Sequence, residues 1–213
     1  PAGPVLLAGA AMAAWAGAMV GTAAAMVAMV DRSDEAYDRL VKLDERSRAA
    51  NEYQADLFIS LHSNAHPSSA ESGFEVYFLS ERASDPEAER LAEFENSVLA
   101  LEGEEAVEGG AATVLYALAK TEFMNDAAEL SGLFTVALAR RVDLPNRGVK
   151  QAAFYVLRGS HAPAVLVEMG FLSNAQDEAK LQSRKYRRKI VEGLYAGIIE
   201  YARRKGWGPG GGR

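Results

Sequence analysis

Two side chains of this sequence stand where chemistry is done. Glu168 ends an apolar run, Ala164 to Val167, within PAVLVEMGFLSN at 163–174, and turn-formers follow at Gly170, Ser173 and Asn174. A carboxylate at the end of a buried strand is costly unless a cation or a reactive group meets it. Strand ends are also where open α/β sheets bind their ligands. Glu168 is therefore a candidate catalytic base; the competing reading is a Glu that caps the next helix or pairs with an Arg. His62 closes a second apolar run, Leu57 to Leu61, in DLFISLHSNA at 56–65. The chain has three histidines, and the other two, His66 and His161, lie near Pro67 and Pro163 in turn-like surroundings. A neutral imidazole at a strand end is a natural zinc ligand, and beside a Glu it suits metal-assisted hydrolysis. The competing reading is a structural histidine.

Those two residues need strands to carry them and helices to cover the strands. The pattern predicts a helix over 35–52, then strands at about 56–62 and 74–79 joined by the exposed loop HPSSAESG. Ser84 to Leu101 reads as a helix, capped by Ser84 or Asp85 with Pro86 in its first turn. GEEAVEGG has no apolar period and reads as mobile linker. Ala112 to Phe123 is predicted as one helix, and Asn125 or Asp126 caps another that reaches about Arg141. Leu144 to Gly148 reads as a turn, with strands at about 153–157 and 164–168 beyond it. Asn174 caps the short helix QDEAKLQ, and the last helix runs from about Lys185 to Arg204. Strands alternating with helices predict an α/β fold, a three-layer sandwich with a mostly parallel central sheet flanked by helices. The expected division is a single domain over 1–205 and a disordered tail over 206–213.

With 213 residues the chain is long enough for one well-filled core. A net charge of −6, without a basic stripe, excludes a nucleic-acid footprint. The absence of cysteine excludes disulfide scaffolds, thiolate zinc sites and thiol nucleophiles.

Taken together, LDERSRAAN at 43–51, ADLFISLHSNA, GFEVYFLS at 73–80 and FYVLRGSHAPAVLVEMGFLSN at 154–174 resemble the zinc-dependent N-acetylmuramoyl-L-alanine amidases of bacterial cell walls. The resemblance spans roughly 31–205. It implies that His62 is a zinc ligand and that Glu168 is the catalytic glutamate. It further implies peptidoglycan as the substrate, cleavage between N-acetylmuramic acid and L-alanine, and a secreted or periplasmic location. The region 81–130 resembles the helical regulatory insert of the division-type amidases, which covers the active site until a protein activator of the division machinery displaces it. Glu122, in TEFMNDAAEL, is the expected inhibitory ligand within that insert; the alternative is a solvated helix Glu.

The family's two other zinc ligands, a His in a Gly-His-Gly-Gly loop and a Glu opening the first helix, have no counterpart in 1–30. That segment holds no His, Asp, Glu, Lys or Arg, but 12 Ala, 4 Gly, 4 Met and 4 Val. Three readings fit it. It is long enough to cross a bilayer, and only as such an anchor would it bring in a membrane. It could be a degenerate domain start, which would make the chain a non-catalytic peptidoglycan-binding relative. Or the native side chains differ from those written, the preferred reading, because a solvated helix without one charge breaks amphipathic patterning. The preferred reading predicts an intact mass different from that of the sequence, and a matching mass rejects it.

Overall fold

The computed structural model describes residues 43–97 and 114–207. The expectations for 1–30, for the GEEAVEGG linker and for the end of the chain from 208 lie outside these residues. In chain order the elements are α1 (Leu43–Glu52), β1 (Phe58–Asn64), β2 (Phe74–Leu79), α2 (Pro86–Asn96) and α3 (Val114–Ala139). They continue with β3 (Asn146–Ala152), α4 (Tyr155–Arg158), β4 (Ala164–Phe171), α5 (Ala175–Gln182) and α6 (Arg184–Arg204).

Four strands form one sheet in the order β1-β4-β2-β3. The β1–β4 and β2–β3 pairs are parallel, and β2–β4 is antiparallel. The sheet is thus mixed, as the expected α/β layering allows. All eight residues of β4 are buried, which explains its continuous apolar run: it is flanked by strands on both edges and covered on both faces.

Alternation along the strands divides the interior in two. Val165, Val167 and Met169 of β4 face one layer, where they pack with Leu130, Phe134 and Leu138 of α3, Leu181 of α5 and Ile190 and Leu194 of α6. Ala164 and Leu166 face the other, with Phe58, Tyr77, Ala50 of α1, Leu91 of α2 and Phe154, which precedes α4. Glu168 continues the Ala164–Leu166 side, so the candidate chemistry belongs to the layer of α1, α2 and α4.

Three expectations need correction. The two helices predicted around Phe123 are one continuous helix, α3. No Gly or Pro stands at the predicted break near Phe123, and Asp126 does not cap: its carboxylate accepts from Tyr201 Oη at 3.1 Å and Lys205 Nζ at 2.6 Å. The strand predicted at 153–157 is instead the short helix α4, and the strand begins earlier, within the predicted turn, because 146–152 supplies the residues that pair with β2. Phe154 then turns inward, with its ring edge-on to Tyr77 at 5.0 Å between centroids. The strands expected to end at His62 and Glu168 run on to Asn64 and Phe171, and Trp207 packs edge-on against Tyr201 at 5.5 Å.

The α3–α6 contact has no room to spare. A Cβ on Gly193 would meet Leu138 Cδ2 at 2.7 Å, and one on Gly197 would run into the Phe134 ring. Both neighbours are buried. Gly197→Ala should therefore destabilise the protein by about 1–3 kcal/mol, the usual cost of overpacking a filled core. Urea denaturation checks this; an unchanged or raised midpoint would show that α3 gives way freely.

Candidate metal centre

The site is built where β1, β4 and β2 lie side by side. His62 of β1 is in register with Glu168 of β4, and Glu168 is in register with Glu75 of β2. Partners in register project to the same face, so three ionisable side chains form a row across three strands. Leu57 to Leu61 and Ala164 to Val167 are apolar because they lie inside the sheet. Both strands run on past the polar residue, to Asn64 and Phe171, and Glu168 remains fully buried.

The row receives a fourth group from α2. Asp85 caps that helix, its side chain accepting from Glu87 N at 3.0 Å and Ala88 N at 2.9 Å, with Pro86 in the first turn. Ala88, Leu91 and Ala92 form the buried stripe of the helix. Glu95 continues that stripe by helical spacing and so points at the sheet. Its Oε2 lies 3.1 Å from His62 Nδ1. At the helix end, Asn96 donates to Ala153 O at 2.9 Å and accepts from Tyr155 N at 2.8 Å, which fixes Glu95 in place.

His62, Glu95 and Glu168 can each turn one ligand atom toward a common point, all within 4.8 Å of one another. Both Glu168 oxygens are buried and neither has a hydrogen-bond partner among the described residues. Burial pushes the Glu168 carboxyl well above the ordinary carboxylate range, and the neighbouring charges of Glu95 and Glu75 push it further the same way. An unpaired buried carboxylate beside an imidazole and a second carboxylate is a donor set that a divalent cation completes. The residues therefore fit a zinc ion.

Glu75 is equally buried but fully compensated. Arg147 Nε donates to it at 2.5 Å, Lys150 Nζ lies at 3.1 Å, and the Tyr77 hydroxyl donates to its other oxygen. The Tyr77 hydroxyl is held above its ordinary range by burial first and by the Glu75 charge second. Arg147 also donates to Glu71 and Glu87, each at 2.6 Å. This cluster ties β2 and β3 to the first turn of α2. The loop before β2 is pinned separately. Buried Asp177, in the first turn of α5, accepts from Ser72 Oγ at 2.7 Å, Gly73 N at 3.0 Å and Phe171 N at 3.0 Å. Gly73 has a φ of +124°, and a Cβ there would meet Pro145 O at 2.5 Å, so only glycine lets β2 start at this point.

The structure brings His62 and Glu168 together and leaves Glu122 out. Glu122 is exposed on α3, in the layer on the opposite sheet face, where its charge acts on Tyr201. The sheet stands between it and the His62 row. The carboxylate that meets His62 is Glu95, from the same 81–130 region. A Glu on the i, i+3, i+4, i+7 stripe that starts at Ala88 was the signal that would have found it. Glu75, a charge inside the apolar run FEVYFL, was a second. From Ala127 onward that region is core, not a removable cover.

Residues 19–200 match the family described as N-acetylmuramoyl-L-alanine amidase. The N-acetylmuramoyl-L-alanine amidase AmiA of Escherichia coli (strain K12) is 31% identical over 167 residues, which are 77% of this chain and 58% of AmiA. The chain thus spans less than two thirds of that relative. The catalytic domain of CwlV, an N-acetylmuramoyl-L-alanine amidase from Bacillus (Paenibacillus) polymyxa var. colistinus, matches with a TM-score of 0.50 at 28% identity, covering 78% of this chain and 68% of that one. The CwlD amidase from Clostridioides difficile, solved in complex with the GerS lipoprotein, shares the fold with a TM-score of 0.56 at 20% identity, covering 94% and 83%.

The unpaired Glu168 has a thermodynamic consequence. Its pKa is raised on folding above the unfolded value of about 4.3, so between the two values the folded state holds a proton that the unfolded state has released. Its contribution to stability is intact below that window and declines as pH rises through it. In chelator-treated protein, Glu168→Gln should therefore be more stable than wild type at neutral pH, with the gap closing toward about pH 4. Denaturant unfolding across that range measures it. A wild type whose advantage over the variant grows with pH would show that a cation inside the protein already compensates the charge.

Proposed function

This chain belongs to the N-acetylmuramoyl-L-alanine amidase family, and from that membership we propose that it is a zinc-dependent peptidoglycan hydrolase of the cell envelope. Its substrate would be the amide between N-acetylmuramic acid and the L-alanine of the stem peptide. The observation that carries the reading is the buried Glu168 carboxylate without a partner, in register with His62. Such a costly arrangement persists in a fold when function requires it.

His62 would hold the metal, and Glu95 is placed to share it. When bound, zinc supplies Lewis-acid polarisation of the scissile carbonyl and lowers the pKa of water. A cation there also opposes the upward shift of the Glu168 pKa, returning the carboxylate to its basic form. Glu168 then takes a proton from the attacking water on one carboxylate oxygen and delivers it to the nitrogen of the leaving L-alanine amine. Burial keeps bulk water from levelling that exchange.

Glu95 gives the reading its regulatory side. A carboxylate on α2 in contact with His62 occupies the position that water and substrate need, so the chain would be autoinhibited while α2 is docked. A protein activator would draw α2 away, and it can shift that equilibrium only by binding the undocked form better. No helix among the described residues is long and apolar enough to cross a membrane.

Glu168→Gln should retain zinc and lose about 10²–10⁴-fold in turnover on sacculi, the usual cost of removing a general base. Glu95→Gln should instead raise the basal rate by roughly 10–100-fold, as expected for losing one charged hydrogen bond that holds a closed state. Dye release from labelled sacculi and zinc analysis check both. A zinc-loaded Glu168→Gln with wild-type turnover would reject Glu168 as the base. A Glu95→Gln that loses both zinc and activity would make Glu95 a resident ligand and not a blocking one. No zinc and no hydrolysis in any form would favour the non-catalytic binder.

A further inference from the structure

We infer that Ser60 is a positioning residue for His62: it occupies Nε2 of the ring and so assigns metal binding to Nδ1. The inference rests on the proposed zinc site and concerns which imidazole nitrogen serves it.

Ser60 and His62 are two residues apart on β1, so both project to the face that carries Glu168. Ser60 is itself buried, with 8% of its surface exposed. Its Oγ lies 2.8 Å from His62 Nε2. The opposite ring nitrogen, Nδ1, faces Glu95 Oε2 at 3.1 Å. The two nitrogens thus have different neighbours: a hydroxyl on one side, the carboxylate cluster on the other. An ion on the side of Glu95 and Glu168 can reach Nδ1, whereas Nε2 is covered by Ser60.

A neutral imidazole carries one ring proton, and the nitrogen that binds a cation must be the bare one. With the ion on Nδ1, the proton is on Nε2 and needs an acceptor. Ser60 Oγ is that acceptor. Without the ion, the Glu95 carboxylate draws the proton to Nδ1, and the hydroxyl can rotate to donate to Nε2. A serine serves both states because its hydroxyl is donor and acceptor in turn. An alanine would leave Nε2–H buried without a partner in the loaded state, and outer partners of this kind typically hold about 10–100-fold in metal affinity.

The experiment uses the full chain and zinc alone. With three histidines in the sequence, a long-range nitrogen–proton NMR spectrum resolves each ring and reports its tautomer. The zinc-loaded wild type should show the His62 proton on Nε2. Ser60→Ala should bind zinc about 10–100-fold more weakly by chelator competition, and Ser60→Thr, which restores a hydroxyl, should recover most of the affinity. Equal zinc affinity for wild type and Ser60→Ala, with His62→Ala binding none, would overturn the Ser60 role and leave the metal site standing. A loaded spectrum with the proton on Nδ1 would overturn it in the same way, and needs no variant to fold. A wild type that takes up no zinc would overturn both.

Discussion

The Glu168 carboxylate is the constraint on which the rest of the structure turns. It is completely buried, it lies on the strand that is paired on both sides, and neither of its oxygens finds a donor. A central strand cannot slip without taking its whole apolar set out of the core. The register that places Val165 and Val167 in one layer therefore also fixes Glu168 beside His62 and Glu75. The chemistry inherits its geometry from packing.

Two neighbouring carboxylates show how differently the fold treats similar charges. Glu75 is met by a guanidinium, an ammonium and a phenol. Among the described residues, Glu168, in register with it, has no hydrogen-bond donor and lies beside an imidazole and a second carboxylate. Removing a charge from water is expensive in both positions, and at Glu75 the sequence supplies the cations to offset it. At Glu168 it does not. That contrast separates a side chain that holds the sheet together from one that awaits a ligand.

Much of this arrangement could be read from the residues. The apolar runs Leu57 to Leu61 and Ala164 to Val167 mark both strands, which extend past His62 and Glu168 to Asn64 and Phe171. Asp85 and Asn174 announced their helix starts through ordinary capping chemistry. What could not be read depended on partners distant in sequence. Residues 146–152 look like a turn because Pro145 precedes them and Gly148 interrupts them; only β2 makes them a strand. FYVLR has the composition of a strand and becomes a helical turn because Phe154 and Leu157 fill the layer under α2. Proximity to apolar residues points to Glu122, and it is a weaker guide than position on a helical stripe. Glu95 shares its stripe with Ala88, Leu91 and Ala92, and that stripe decides which carboxylate faces the sheet.

The moorings of α2 are unlike at its two ends. The first turn is held through Glu87 by Arg147 and Lys150, in contacts that remain partly open to solvent. The last turn is held by the Asn96 amide against backbone atoms of Ala153 and Tyr155. Dissolved ions screen the first kind of bond strongly over distances of about 8–10 Å at moderate ionic strength and hardly touch the second. Between them the helix contributes only two alanines and one leucine to the core. The helix is thus held by opposite charges at Glu87 and by neutral hydrogen bonds at Asn96. Dissolved salt therefore loosens the Glu87 contacts, while the hydrogen bonds of Asn96 persist.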